Sequence, residues 1–271
     1  MSDPYDPLQA HPSHELVHDR ADALLRLHEA PEILTLVNVW DVASAMVIAD
    51  LPETKALATA SHGIAASYGF EDGERIPVEL MIEAVGRIAL STSLPVSADL
   101  EGGYGDPAET VRMAIGVGVV GGNLEDQLRP HIESVENVAE VMKAAEEEGV
   151  RFVLNARTDA LIRRGDRSLD EAIDDAIERG RAYLDAGAAC VFVPGLVDEP
   201  TAIRLVEGIG HRKVSVIGVP GSLTPARYQE LGIARISYGP WPQRVALTAL
   251  QESALTLYAG GVLPPGTQTL T

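Results

Sequence analysis

Asp99 and Glu101 stand one residue apart where the apolar run of PVSADLEGGYGD (95–106) ends, and they are the pair around which chemistry can be built in this chain. In a strand, side chains repeat every two residues, so the two carboxylates point the same way if the extended backbone persists through Glu101. Two carboxylates about 5 Å apart repel by roughly 3 kcal/mol at an effective dielectric near 20, so either a cation sits between them or one of them takes a proton. Mg²⁺ suits such a place, because hard divalent ions take oxygen ligands and keep several waters.

Other polar residues fall in comparable places. Apolar, β-branched runs occur at 34–40, 56–61, 95–100, 119–126, 151–159, 189–195, 214–221 and 234–240. Helical patterns lie between and after them, at about 42–50, 77–91, 107–116, 134–148, 168–187, 198–208, 224–231 and 241–259. Eight β units each followed by a helix predict a single α/β domain over 1–271, a (β/α)₈ TIM barrel, preceded by an amphipathic N-terminal helix at 14–30 and a tail at 1–13. Start signals such as Asp106-Pro107 and Ser168 followed by Asp170 and Glu171 support the helices. Chemistry in such barrels sits at the C-terminal ends of the strands. Four consecutive runs end in polar residues there: Thr59, Ser61 and His62; Asp99 and Glu101; Asn123, Glu125 and Asp126; Asn155, Arg157, Thr158 and Asp159.

Composition narrows the partners. A formal charge of −19 repels nucleic acid and anionic membrane surfaces, though a local cation and an arginine can still attract a small anion. No apolar stretch is long enough to span a bilayer, and the polar, proline-containing start does not read as a signal peptide, so the cytoplasm is the expected location. The single cysteine, Cys190, lies in an apolar run and reads as a buried structural thiol. Lysine occurs only at 55, 143 and 213, none at the chemical rim, which disfavours Schiff-base chemistry.

The strings WDVASA (40–45), SHGIAASYGFEDG (61–73), SADLEGGYGD (97–106), GGNLEDQ (121–127), NARTDA (155–160) and AGAACVFVPG (186–195) resemble, in order, the phosphoenolpyruvate mutase/isocitrate lyase superfamily. The resemblance implies a Mg²⁺-dependent (or Mn²⁺-dependent) enzyme that makes or breaks a P–C or C–C bond beside the carbonyl of a small 2-oxo or enol carboxylate. It implies metal ligation by Asp99, Glu101 and Glu125, directly or through waters, and a carboxylate clamp at Arg157. Ser61 and His62 match a stretch whose backbone N–H groups meet the substrate carboxylate, Asp72 matches a loop aspartate near the site, and Asn123 completes the expected substrate-binding set. Asp126 and Asp159 read as supporting or capping groups. The resemblance also implies a homo-oligomer, a dimer or tetramer, with the helix at 241–259 as contact.

The segment after the fourth strand, EDQLRPHIESVENVAE, departs from the family. It lacks the lyase branch's Lys/Arg-Cys-Gly-His and the mutase branch's lysine, and it is too short for a long lid. His131 and Glu133 stand where the mutase signature residues would be, so His131 is the candidate acid–base group, with an exposed loop residue as the alternative. The expectation is a phosphonomutase-like enzyme; the rivals are a C–C lyase, decarboxylase or hydrolase on an oxaloacetate-like acid, and a non-catalytic metal and 2-oxo acid binder.

Overall fold

The computed structural model describes residues 12–270, so residues 1–11 of the expected tail lie outside the described residues. The helix α1 (His14–Glu29) precedes alternating strands and helices: β1 (Leu34–Leu36), β2 (Asn38–Val39), α2 (Val42–Ala49), β3 (Leu57–Thr59), α3 (Ser61–Ser67), α4 (Val78–Leu90), β4 (Val96–Asp99), α5 (Pro107–Gly116), β5 (Gly121–Glu125) and α6 (His131–Glu147). There follow β6 (Val153–Arg157), α7 (Leu169–Asp185), β7 (Cys190–Val193), α8 (Glu199–Ile209), β8 (Val214–Ile217), α9 (Pro225–Glu230), β9 (Arg235–Ser237) and α10 (Trp241–Tyr258).

All strand pairs are parallel, in the order β1-β9-β8-β7-β6-β5-β4-β3-β2. The first expected strand is broken at Val37. Its first half pairs with β9 and its second with β3, so this one run brings the sheet round on itself as an α/β barrel of eight strand units. Helix starts follow the local chemistry: Ser168 and Glu171 form a reciprocal capping box, and Asp106 caps a helix whose first residue is Pro107. The helices bury one stripe against the sheet, for example Met81, Ile82, Val85 and Ile88 of α4. Helix α1 closes the N-terminal end of the barrel, where Leu24 occupies the space a side chain at Gly121 would need: a Cβ there would lie 2.6 Å from Leu24 Cδ2.

Two further features differ from expectation. Residues 61–67 form a short helix instead of the end of a strand. Helix α6 begins at His131 rather than at 134, which shortens the preceding loop further. Cys190 is buried in β7 as expected, and desolvation pushes its thiol up to about 11. No helix among the described residues is long and apolar enough to cross a membrane.

Candidate active site

Asp99 is the last residue of β4 and anchors the rim. Its Oδ2 accepts from the Ser61 hydroxyl at 2.8 Å and from the Ser61 backbone N–H at 3.2 Å, while its own N–H donates to Thr59 Oγ1 at 3.0 Å. Ser61 is the first residue of α3, so the next amides of that turn, those of His62 and Gly63, lack intrahelical partners. Asp72 lies beside this group, with Oδ1 3.4 Å from Ser61 Oγ and Oδ2 3.6 Å from His62 Nδ1. The structure therefore brings Ser61, His62, Asp72 and Asp99 together.

Glu101 reaches the site by a different route from the one its spacing predicts. The strand stops at Asp99, and Glu101 has φ 51°, in the left-handed region, so the two-residue alternation with Asp99 is not what orients it. Its carboxylate accepts from Tyr104 Oη at 2.8 Å and from the Glu74 backbone N–H. Glu74 in turn accepts from the Tyr104 N–H at 2.6 Å and from Gln127 Nε2 at 3.2 Å. Of the six described non-glycine residues with positive φ, Glu74, Glu101, Tyr104, Gln127 and Leu128 lie on these three loops. Left-handed backbone costs such residues of order 1 kcal/mol each and clusters where a site over-determines it. Gly103 gives the turn its tightness, since at its φ of 90° a Cβ would sit 2.6 Å from Pro107 Cα.

Glu125 and Arg157 end β5 and β6, directly paired in register. Arg157 Nη1 lies 2.7 Å from Glu125 Oε2 and its Nε 2.7 Å from Asp159 Oδ1, while its Cζ is 6.0 Å from the centre of the Phe192 ring. Burial pulls this guanidinium towards neutrality, but Glu125, Asp159 and Asp99 outweigh burial and hold it above its ordinary value. Nη2 has no described partner and stays available. Behind the pair, Asp126 accepts from four donors: the Leu128 N–H (2.8 Å), the Asp159 N–H (2.9 Å), Arg179 Nη1 (3.1 Å) and Tyr183 Oη (2.7 Å). Asp159 is fully buried and also binds Arg163 Nε at 2.9 Å. Both aspartates thus hold the rim in place.

Asn123 pairs in register with Asp99 on one side and Asn155 on the other, and Asn155 Nδ2 donates to its Oδ1 at 2.8 Å. His131 is not brought to this group: as the first residue of α6 it turns Nδ1 towards Glu178 of α7, 3.8 Å away. Sequence reading passed over Glu74, Tyr104 and Gln127, which hold the carboxylates by contacts between loops. The sequence signal for Glu74 and Tyr104 was the glycine and acidic residues clustered around each, at 69–74 and 99–106; Gln127 had none.

Among the described residues, no three His, Cys, Asp or Glu side chains converge as a ready-made cage. Glu101 and Glu125 are occupied by Tyr104, Glu74 and Arg157, but Asp99 Oδ1 has no described partner. Burial, with a further push from Asp99, raises both Glu101 and Glu125 to about 7, against the opposing effects of Tyr104 and Arg157. Asp99, with one open oxygen, and the neighbouring Glu101 and Glu125 are oxygen donors of the kind a hard divalent ion takes, but they do not form a ready-made set of three direct ligands.

Comparison with known proteins gives the family. The family model described as phosphoenolpyruvate phosphomutase matches residues 24–258. A Burkholderia cenocepacia structure named as a phosphonomutase is 40% identical, with TM-score 0.81, covering 86% of this chain and 98% of that one. The 2,3-dimethylmalate lyase of Eubacterium barkeri is 31% identical over 222 residues, 76% of this chain and 73% of its own. Oxaloacetate acetylhydrolase, solved in complex with the product oxalate, is 25% identical with TM-score 0.83, covering 96% of this chain and 93% of that one. A barrel that gathers Asp99, Glu101, Glu125 and Arg157 at one rim, matched by that model over nearly its whole length, makes this chain an enzyme of the phosphoenolpyruvate mutase/isocitrate lyase superfamily.

Proposed function

We propose that the enzyme uses Mg²⁺, with Mn²⁺ as its substitute, to bind a small 2-oxo or enolpyruvate carboxylate and to make or break the bond beside its carbonyl by way of the enolate. The observation that carries this reading is the succession of carboxylates along one rim: Asp99 ends β4 with Oδ1 unpartnered among the described residues, Glu101 follows on the next loop, and the Glu125–Arg157 pair ends the neighbouring β5 and β6. A divalent cation held by Asp99 supplies Lewis acidity that favours negative charge on a carbonyl oxygen. Arg157, its Nε and Nη1 fixed by Asp159 and Glu125, offers Nη2 to an anionic oxygen of the bound acid. Ser61 orients Asp99, and the first-turn amides at His62 and Gly63 receive the carboxylate. Asp72, against Ser61 and His62, is the group placed to take or return a proton. His131 has no part in this reading, because its side chain is turned to Glu178.

The name of the 40% identical relative favours phosphonomutase-like P–C chemistry. C–C cleavage is the second reading, supported by the lyase and the acetylhydrolase among the relatives and by the loop of only a few residues between Glu125 and His131, which leaves no long lid to exclude water. The test is calorimetric titration of oxalate, a planar mimic of the pyruvate enolate. Binding is expected only with Mg²⁺ present and is expected to disappear in Asp99→Ala; no binding, or binding indifferent to the metal, overturns the reading.

We further propose that the enzyme works as a homo-oligomer built on α10. Only Gln243 of its eighteen residues is buried, whereas Val245, Leu247, Leu250 and Leu255 are each more than half exposed. Apolar surface on that scale marks an interface. Light scattering is expected to give a dimer or tetramer, and Leu247→Glu with Leu250→Glu is expected to shift it to monomer; a monomeric wild-type protein refutes this assembly.

A further inference from the structure

Arg235 is the first residue of β9 and has no exposed surface, yet nothing in the reading above uses it. It points into the barrel, where Nη1 lies 3.2 Å from Ser97 Oγ and Nη2 lies 3.4 Å from Asn123 Oδ1. Ser97 is two residues before Asp99 on the same face of β4, so the guanidinium lies one layer beneath Asp99. Both of these acceptors are neutral. Burial lowers the guanidinium to about 10, so it remains charged at neutral pH. Packing alone does not call for arginine here, because an apolar side chain of similar volume fills such a space without desolvating a charge.

The amide pair above it supplies the reason. Asn155 Nδ2 donates to Asn123 Oδ1 at 2.8 Å and also reaches Ser215 Oγ at 3.3 Å. Two facing amides can be hydrogen-bonded either way round, each exchanging donor for acceptor. An arginine has donors only, so Asn123 must turn its oxygen to Arg235. This arrangement leaves Oδ1 of Asn155 buried without a donor among the described residues, so Arg235 imposes it rather than the pair's own needs. The Nδ2 of Asn123 has no described partner, and its residue sits beside Asp99 and on the same strand face as Glu125.

We infer that Arg235 is a positioning residue: by holding Asn123 Oδ1 from below, it keeps the Asn123 N–H₂ turned towards the bound acid as a donor to one of its anionic oxygens. Without it the pair can reverse and place a carbonyl oxygen against the anion. The inference rests on the enolate-site reading, which wild-type oxalate binding in Mg²⁺ and its loss in Asp99→Ala check first and separately.

The test is a double-mutant cycle on that same titration, with thermal melting to confirm that each variant is folded. Arg235→Met and Asn123→Leu are each expected to weaken oxalate binding about tenfold, the value of one hydrogen bond to a charged group. The double variant is expected to bind no worse than Asn123→Leu, and Arg235→Lys to recover part of the loss. Wild-type affinity in Arg235→Met, or losses that multiply in the double variant, overturns the inference, because Arg235 then acts independently of Asn123. If Arg235→Met does not fold, Arg235→Lys carries the cycle: a partial loss that does not multiply with that of Asn123→Leu supports the inference, and losses that multiply overturn it.

Discussion

Arg157→Met is expected to weaken Mg²⁺-dependent oxalate binding by about a hundredfold or more, the largest functional effect of any single side chain at this rim apart from Asp99. Two losses combine. The variant removes the guanidinium proposed to donate its Nη2 to the bound acid, and a hydrogen bond to a charged group is worth about 1.5–3 kcal/mol net. It also leaves Glu125 opposite Asp159 with their shared cation gone, although both are buried and Glu125 is already raised to about 7 by burial. The freed Glu125 then holds a proton more readily and contributes less negative charge to the cation site. Arg157→Lys keeps a charge but not the planar fork that reaches Glu125 and Asp159 together, so it is expected to recover only part of the affinity. Titration of both variants, with melting curves alongside, checks this. Wild-type affinity in Arg157→Met would show that Arg157 serves only as a structural counter-ion.

The second large effect concerns stability. Asp126→Ala is expected to cost about 3–5 kcal/mol, the range seen when one partner of a buried charge pair is removed. Its carboxylate joins four donors from three places: the loop after β5, the end of β6, and both Arg179 and Tyr183 on α7. Removal leaves two backbone N–H groups and the Tyr183 hydroxyl without their acceptor, while Arg179 keeps Asp175 at 2.8 Å. Asp126→Asn retains an oxygen for the two amides and is expected to lose less. Urea midpoints at constant slope measure both; equal stability of Asp126→Ala and wild type would refute the hub. Because Asp126 Oδ1 fixes the Asp159 amide and Asp159 fixes Arg157, the destabilised variant is also expected to bind oxalate more weakly even where it remains folded.

The barrel itself was legible in the chain. Eight β-branched runs alternate with amphipathic helices, and parallel strands joined by helical crossovers leave few other closed solutions. The rim was legible for the same reason: charged side chains are costly inside a sheet, so Asp99, Glu125 and Arg157 at the ends of consecutive runs announce its C-terminal edge. Spacing alone could not orient Glu101. Its placement depends on Tyr104 and on Glu74, which lies 27 residues earlier, and on left-handed backbone that a period-two reading does not anticipate. His131 was legible as a loop substitution, yet the start of α6 at that residue turns it to Glu178, because helix geometry rather than sequence distance decides which neighbour a side chain meets. Arg235 was the least legible of all. In ARISYGP it is one charge in an otherwise apolar run and was passed over, and only the closure of the sheet through the Leu34–Val39 run carries its guanidinium across the barrel to Ser97 and Asn123. Local pattern determines the elements and the edge on which chemistry collects, since periodicity and burial cost act within one strand or helix. The partners of each polar group were decided by tertiary structure, since they come from strands and loops far apart in the chain.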